Sequence, residues 1–370
     1  MKHVVGIIGK SVLLIITGAV VGTILLTIAY ALPVNMENRD ASYETLEQEG
    51  WYPRATVTSR SLDTYFHSYY PDVLDDSTDK IMLYTAMDDS IGSPLTRAMD
   101  SYSDYVGSYS RYWHGYVVLL RVIFLFLNYT ELRVVNGACQ LFLVLILATI
   151  VGRKKGVPYV LMLATSYILL SSIAMPLGLQ FSWVFYIAYI GTLILLLKTD
   201  FFEKNRRYIY FFMVLGMFTS YFDLLTYPLA TWGLPLIWWI VMTEREERES
   251  FWTGRVVFSG FSWIVGYAGM WCMKWVLATL ILGRNIFRSA TLEASLWSGL
   301  QKTKEAALSG RLQVIHVNWK HYEYKVYGVI LAAWLIWWVC KFVFRGGGKE
   351  IQSARHFCWR AFPVLFGIWY

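Results

Sequence analysis

The chain has 370 residues, of which 56% are hydrophobic, 17% aromatic and only 16% charged, with a formal net charge of +7. That balance lies outside the range of an ordinary soluble domain and points to a polytopic membrane protein. The basic residues sit in short clusters beside apolar runs, where they set orientation, so no nucleic-acid partner is expected. The four cysteines, Cys139, Cys272, Cys340 and Cys358, are scattered, which excludes a disulfide framework or a CxxC metal site.

In chain order, Val4 to Leu32 carries a single charge, Lys10, and is long enough to cross a hydrocarbon core of roughly 30 Å. Lys2, His3 and Lys10 lie on its N-terminal side, while Pro33 to Gly115 holds fourteen Asp/Glu against six Lys/Arg. The basic excess places the N-terminus in the cytoplasm and the acidic segment outside. A cleaved signal peptide is the competing reading, disfavoured by the length of the run and by Pro33 after Tyr30-Ala31-Leu32.

Tyr116 to Leu127 is about a dozen residues and carries Arg121, so it is expected to lie at the outer interface or re-enter beside protein. Counting it as a span would invert every later loop. Val134 to Val151 is expected to cross, ending in Arg153-Lys154-Lys155. Val157 to Met175 and Leu177 to Leu197 form the next pair, followed by Tyr208 to Tyr221 and Leu229 to Met242, both short and expected to tilt or run on into the turn. Val256 to Met273 goes out, and Trp275 to Gly283 is read as a separate interfacial segment because Lys274 interrupts the apolar run. An outer loop over Arg284 to Lys325 precedes a return at Val326 to Phe344. The last ten residues, Ala361 to Tyr370, reach only half-way across a bilayer, and a truncated C-terminus is expected. The fold class is therefore an all-α polytopic membrane protein with about eight complete spans and a partial ninth. It divides into a first helix (1–32), an extracytoplasmic acidic segment with interfacial helices (33–133) and a multi-span domain (134–370).

Chemistry concentrates in the outer segment. Asp88 and Asp89 follow a short apolar run, which brings two carboxylates to the membrane surface, where one can act as a base for a hydroxyl or the two can bind a divalent cation. The structural alternative is a turn or a helix cap. Arg97, Asp100 and Asp104 have the spacing of a salt-bridged helix face. The aromatic stretch Arg111-Tyr-Trp-His-Gly-Tyr116 suits either an outer-leaflet interface or a sugar platform, and His114 alone does not make a metal site. Lys274, Arg284 and Arg288 lie where a cation meets a phosphate or snorkels to headgroups, and Asp223 sits at an outer turn. The spans are poor in polar residues at mid-depth, which disfavours a transporter, and no Gly-rich loop suggests a nucleotide-sugar donor.

The layout, together with Asp88-Asp89, the stretch Arg111 to Tyr116 and the turn Thr219 to Pro228, resembles the GT-C superfamily of integral membrane glycosyltransferases. The resemblance implies an inverting transfer from a polyprenyl-phosphate sugar to a cell-surface glycan or lipid-linked acceptor at the outer face of a bacterial plasma membrane. It implies Asp88 or Asp89 as base, and Lys274 with Arg111 or His114 holding the donor phosphate. Asp88 and Asp89 lie some 55 residues beyond the first span, farther than the superfamily's key acid usually lies. The competing functions are a flippase or transporter of lipid-linked sugars and a membrane assembly subunit.

Overall fold

The computed structural model describes residues 2–49, 77–90, 92–103, 107–169, 175–224, 226–243 and 249–297. The expected span Val326 to Phe344, the terminal run Ala361 to Tyr370, Asp104 and most of the loop after Arg284 lie outside the described residues. The described part is almost wholly helical. Among the described residues four helices are long and apolar enough to cross a membrane by length and composition, within Gly6–Ala31, Tyr129–Lys155, Leu179–Leu197 and Gly254–Leu282, as in a multi-pass membrane protein.

Helix α1 spans Lys2–Ala31, and the acidic segment then contributes α2 (Met36–Glu49), α3 (Ser77–Ala86) and α4 (Pro94–Met99). A departure from the all-helical expectation follows, an antiparallel pair of three-residue strands, β1 (Ser101–Ser103) and β2 (Gly107–Tyr109). The segment carrying Arg121 is a helix of eight residues, α5 (Tyr116–Ile123). Its buried face is Tyr116, Val117, Leu120 and Arg121, while Leu119 and Val122 are exposed.

The second long helix, α6 (Tyr129–Lys155), starts five residues before the expected Val134. The reason is a capping box: the Glu131 amide donates to Asn128 Oδ1 at 3.0 Å and the Asn128 amide to Glu131 Oε2 at 2.9 Å. It ends at Gly156, whose φ of 93° is a conformation that side chains resist, and α7 (Val157–Leu169) turns back from there. After a 3-10 turn at Met175–Leu177 come α8 (Leu179–Leu197), the short α9 (Thr199–Glu203) and a 3-10 turn at Lys204–Arg206. Helices α10 (Tyr208–Phe222) and α11 (Ala230–Thr243) are as short as the sequence implies, 15 and 14 residues.

Helix α12 runs unbroken over Glu249–Leu282, which corrects the reading of Trp275 to Gly283 as a separate segment. Lys274 does not interrupt the helix because Trp263, Met270, Lys274 and Ala278 recur at helical spacing on one buried face. Helices α10 and α12 approach to backbone contact. A Cβ on Gly216 would land on the Trp263 carbonyl oxygen, and one on Gly266 on the Met213 carbonyl oxygen.

The chain forms two compact units. The first contains the described residues up to Ile286, and in it α1, the described acidic segment and the later helices share one hydrophobic core through Leu26, Leu83, Met99, Trp113, Met217 and Met270. Of the second unit, the described residues are those of α13 (Ile286–Trp297) from Phe287 onward.

Candidate functional site

Asp88 and Asp89 lie just beyond α3, and each faces its own arginine. The Asp88 carboxylate accepts from the Ser90 amide at 3.0 Å, the Ser90 hydroxyl at 2.8 Å and Arg97 Nη2 at 3.1 Å. Its side chain is 12% exposed. Asp89 is the open member of the pair, 52% exposed and 3.2 Å from Arg39 Nη1. Of the expected Arg97–Asp100–Asp104 helix face, Asp104 lies outside the described residues, and Arg97 and Asp100 do not pair. Helix α4 stops at Met99, Asp100 is its C-cap, Arg97 turns to Asp88, and Arg284 pairs with Asp100 instead.

The backbone around Asp88 is held by Arg121. Its guanidinium donates to the Asp88 carbonyl at 2.6 Å, the Ala86 carbonyl at 3.2 Å, and the Leu32 carbonyl at 2.9 and 3.2 Å. One arginine thus serves the ends of α1 and α3, groups that a helix end leaves without intrahelical partners. Burial, with Arg97 nearby, pulls the Arg121 guanidinium down from its ordinary value.

His114 is buried with both ring nitrogens engaged. Nε2 lies 3.1 Å from the Tyr109 carbonyl, which can only accept, so Nε2 carries the proton and Nδ1 accepts from the Tyr116 hydroxyl at 2.6 Å. Burial, with Lys274 second, pushes the imidazole down to about 3. A neutral ring with both nitrogens used positions its neighbours; it offers no charge to a phosphate. Lys274 also differs from its expected place at an open outer mouth. It is 0% exposed, donates to the Ala98 carbonyl at 2.9 Å and lies 5.1 Å from the Trp113 ring centre. The helical register that buries Met270 and Ala278 turns Lys274 inward with them.

The two aromatic motifs meet. The Gly115 amide donates to the Tyr221 carbonyl at 2.9 Å, so Arg111 to Tyr116 is joined to the end of α10, where Asp223 begins the Thr219 to Pro228 turn. No Cβ fits at Gly115, because it would land on the Tyr221 ring and carbonyl. Along α12, Trp263, Tyr267, Trp271 and Trp275 recur every fourth residue with ring centres 5.0, 5.6 and 5.8 Å apart. Tyr112 meets Trp271 edge-on at 5.4 Å, Tyr109 follows Tyr112 at 5.2 Å, and the Arg111 guanidinium lies 5.2 Å over Tyr109. The Trp275 indole donates to the Arg111 carbonyl at 2.9 Å.

Asp223 is 3% exposed and accepts from the Thr226 hydroxyl at 2.6 Å and the Thr226 amide at 3.2 Å. Burial and, after it, the Asp223 charge push the Tyr227 phenol up. The arrangement is a half-buried aromatic wall with a guanidinium at one end, while the Asp223 carboxylate is buried against Thr226. Aromatic faces and a cation are what a sugar phosphate needs for stacking and charge. Asp88 and Asp89 are tied to this region through α5, which bears His114's partner Tyr116 at its start and Arg121 near its end.

Three features escaped the sequence reading. Asp79, fully buried, accepts from the Leu179 amide at 2.7 Å, the Gln180 amide at 2.9 Å and the Tyr129 hydroxyl at 2.5 Å, and so caps α8. Arg121 was visible as a charge, but not as the tie between α1 and α3. Asn136 and Gln140 of α6 form a buried network with Ser182 and Tyr186 of α8, at 2.7 Å for Asn136 to both partners and 3.1 Å for Gln140 to Ser182. This corrects the view that the spans hold few polar residues, and the i,i+4 spacing within each pair was the available signal.

One cavity of about 340 Å³ is lined by residues including Glu44, Asn128 and Glu131, and another of about 250 Å³ lies beside Lys154 and Lys198. Neither is lined by Asp88, Asp89, Arg111, His114, Asp223 or Lys274. Among the described residues no three His, Cys, Asp or Glu side chains gather as cation ligands. Compared with protein-family models, curated proteins and solved structures, the chain matches none of them.

Proposed function

We propose that this chain is an inverting membrane glycosyltransferase of the GT-C type, which moves a sugar from a polyprenyl-phosphate donor to a glycan or lipid-linked acceptor. It acts at the extracytoplasmic face of a bacterial plasma membrane, with the N-terminus in the cytoplasm. The observation that carries the reading is the meeting of the Arg111 to Tyr116 stretch with the end of α10, beside an aromatic wall that bears a guanidinium at one end. The sugar ring stacks on Tyr112 and Trp271, and Arg111 faces the departing phosphate. Asp89, the more open acid, takes the acceptor proton as the acceptor oxygen bonds to the anomeric carbon and the bond to the donor phosphate breaks. Asp88 anchors the turn that presents it.

One observation favours a second reading, transport of the intact lipid-linked sugar: the Asn136, Gln140, Ser182 and Tyr186 network lies inside two apolar helices. An assay in membranes with a labelled sugar on a polyprenyl-phosphate donor separates the readings. Asp89→Asn is expected to lower transfer about 10²–10⁴-fold with the protein level unchanged. Full transfer by Asp89→Asn, Asp88→Asn and the double variant would remove both acids as base, and movement of the donor without transfer would favour the transporter.

A further inference from the structure

The cavity of about 250 Å³ sits where α6 and α8 end and α9 begins, lined by Lys154, Leu196, Leu197, Lys198, Thr199, Asp200 and Phe201. Lys154 donates to the Leu196 carbonyl at 2.6 Å, which fixes its ammonium at the mouth while the side chain stays exposed. Lys198 is exposed too, and Arg153 and Lys155 flank the position. Asp200 is the one acid in the lining, and among the described residues it pairs with neither lysine. A stripe of exposed apolar side chains, Ile190, Ile194 and Leu197, runs about 10 Å down α8 to this mouth and ends at the exposed Phe201. Two cations at the end of an apolar stripe on a membrane helix match a ligand with a charged head and a hydrocarbon tail.

We propose that this cleft is a binding site for an anionic glycerophospholipid, its phosphate between Lys154 and Lys198 and one acyl chain along Ile190, Ile194 and Leu197. The Thr199 side chain lines the cleft beside the headgroup, and two lysines against one acid in the lining favour phosphatidylglycerol over a zwitterionic lipid. The site is independent of the proposed transfer reaction, since none of its residues belongs to the aromatic wall or the outer acids.

The full chain is purified in detergent and offered dioleoylphosphatidylglycerol or dioleoylphosphatidylcholine at equal mole fraction, and retained lipid is counted by native mass spectrometry. Phosphatidylglycerol is expected to be retained preferentially, about fivefold less for each lysine removed in Lys198→Gln and in Lys154→Gln/Lys198→Gln. Lys198→Gln alone keeps the Lys154 contact to α8, so its loss cannot be laid to an unravelled helix end. Lys204→Gln/Arg206→Gln, basic residues outside the cleft, is expected to retain the lipid as the parent does. Undiminished retention in Lys198→Gln and in the double variant would overturn the proposal. So would an equal loss in Lys204→Gln/Arg206→Gln, which marks general surface attraction, or displacement by millimolar inorganic phosphate, which marks a free-anion site.

Discussion

Asp79 and Tyr129 share a hydrogen bond of 2.5 Å, with the phenol donating to the carboxylate, and through it α3 is locked to the first turn of α6. The same carboxylate receives the amides of Leu179 and Gln180, so its charge sits at the positive end of α8. Bonds to a charged acceptor contribute about 1.5–3 kcal/mol each.

Asp79→Asn keeps the shape but turns an amide donor toward groups that themselves donate. The variant is expected to lose about 3 kcal/mol, read as a lower unfolding midpoint in detergent, and Tyr129→Phe is expected to lose less. A midpoint equal to the parent's in Asp79→Asn would show that the cap is not a stabilising contact.

Arg121→Lys tests whether the fork, rather than the charge, holds the turn at Asp88. An ammonium cannot reach carbonyls of Leu32, Ala86 and Asp88 together, so Lys is expected to behave much like Met at this position, each losing about 2–4 kcal/mol. Near-parental stability of the lysine variant would assign the contribution to charge alone.

His114 makes stability depend on pH in a defined window. Its folded value of about 3 lies below the ordinary 6.5, so the fold favours the neutral ring. That contribution is complete above about pH 6.5 and is lost as pH falls toward 3, by up to about 1.4 kcal/mol per pH unit. His114→Gln can still donate to Tyr109 and accept from Tyr116 but does not titrate. Melting curves between pH 4 and 7.5 are expected to show a shallower acid decline in the variant, and parallel declines would refute the neutral ring.

Gly216→Ala and Gly266→Ala each place a methyl group against a backbone carbonyl across the α10–α12 contact. Neither backbone can yield without parting the helices, so each is expected to cost 1–3 kcal/mol or more, on the order found for overpacked cores. Gly9→Ala, where nothing lies within 4 Å, is the matched control and is expected to be neutral or mildly stabilising.

Features set by local composition were legible in the sequence. The uncharged run after Lys10, the apolar stretch ending at Arg153 and the turn at Asp223 all stand where length and hydropathy place them. Features set by partners far along the chain were not. Nothing near Asp79 announces the amides 100 and 101 residues later, and Arg97 has a nearer acid at Asp100 yet turns to Asp88. Lys274 misled for a different reason. A charge in an apolar run reads as an interruption, whereas helical register decides whether it meets lipid or the carbonyl of Ala98. Within the site, the residue types of the aromatic wall were visible, but the joining of Gly115 to Tyr221 spans 106 positions and needed the fold.

The Leu32 carbonyl obtains its partner from Arg121, 89 residues further on. At synthesis rates of about 5–20 residues per second, the first helix is finished several seconds before that guanidinium exists as part of the chain. During this interval the carbonyl end of α1 lacks that partner, and it gains these bonds only when α5 arrives. The end of the first helix is therefore completed late in synthesis, and Arg121 dates its completion.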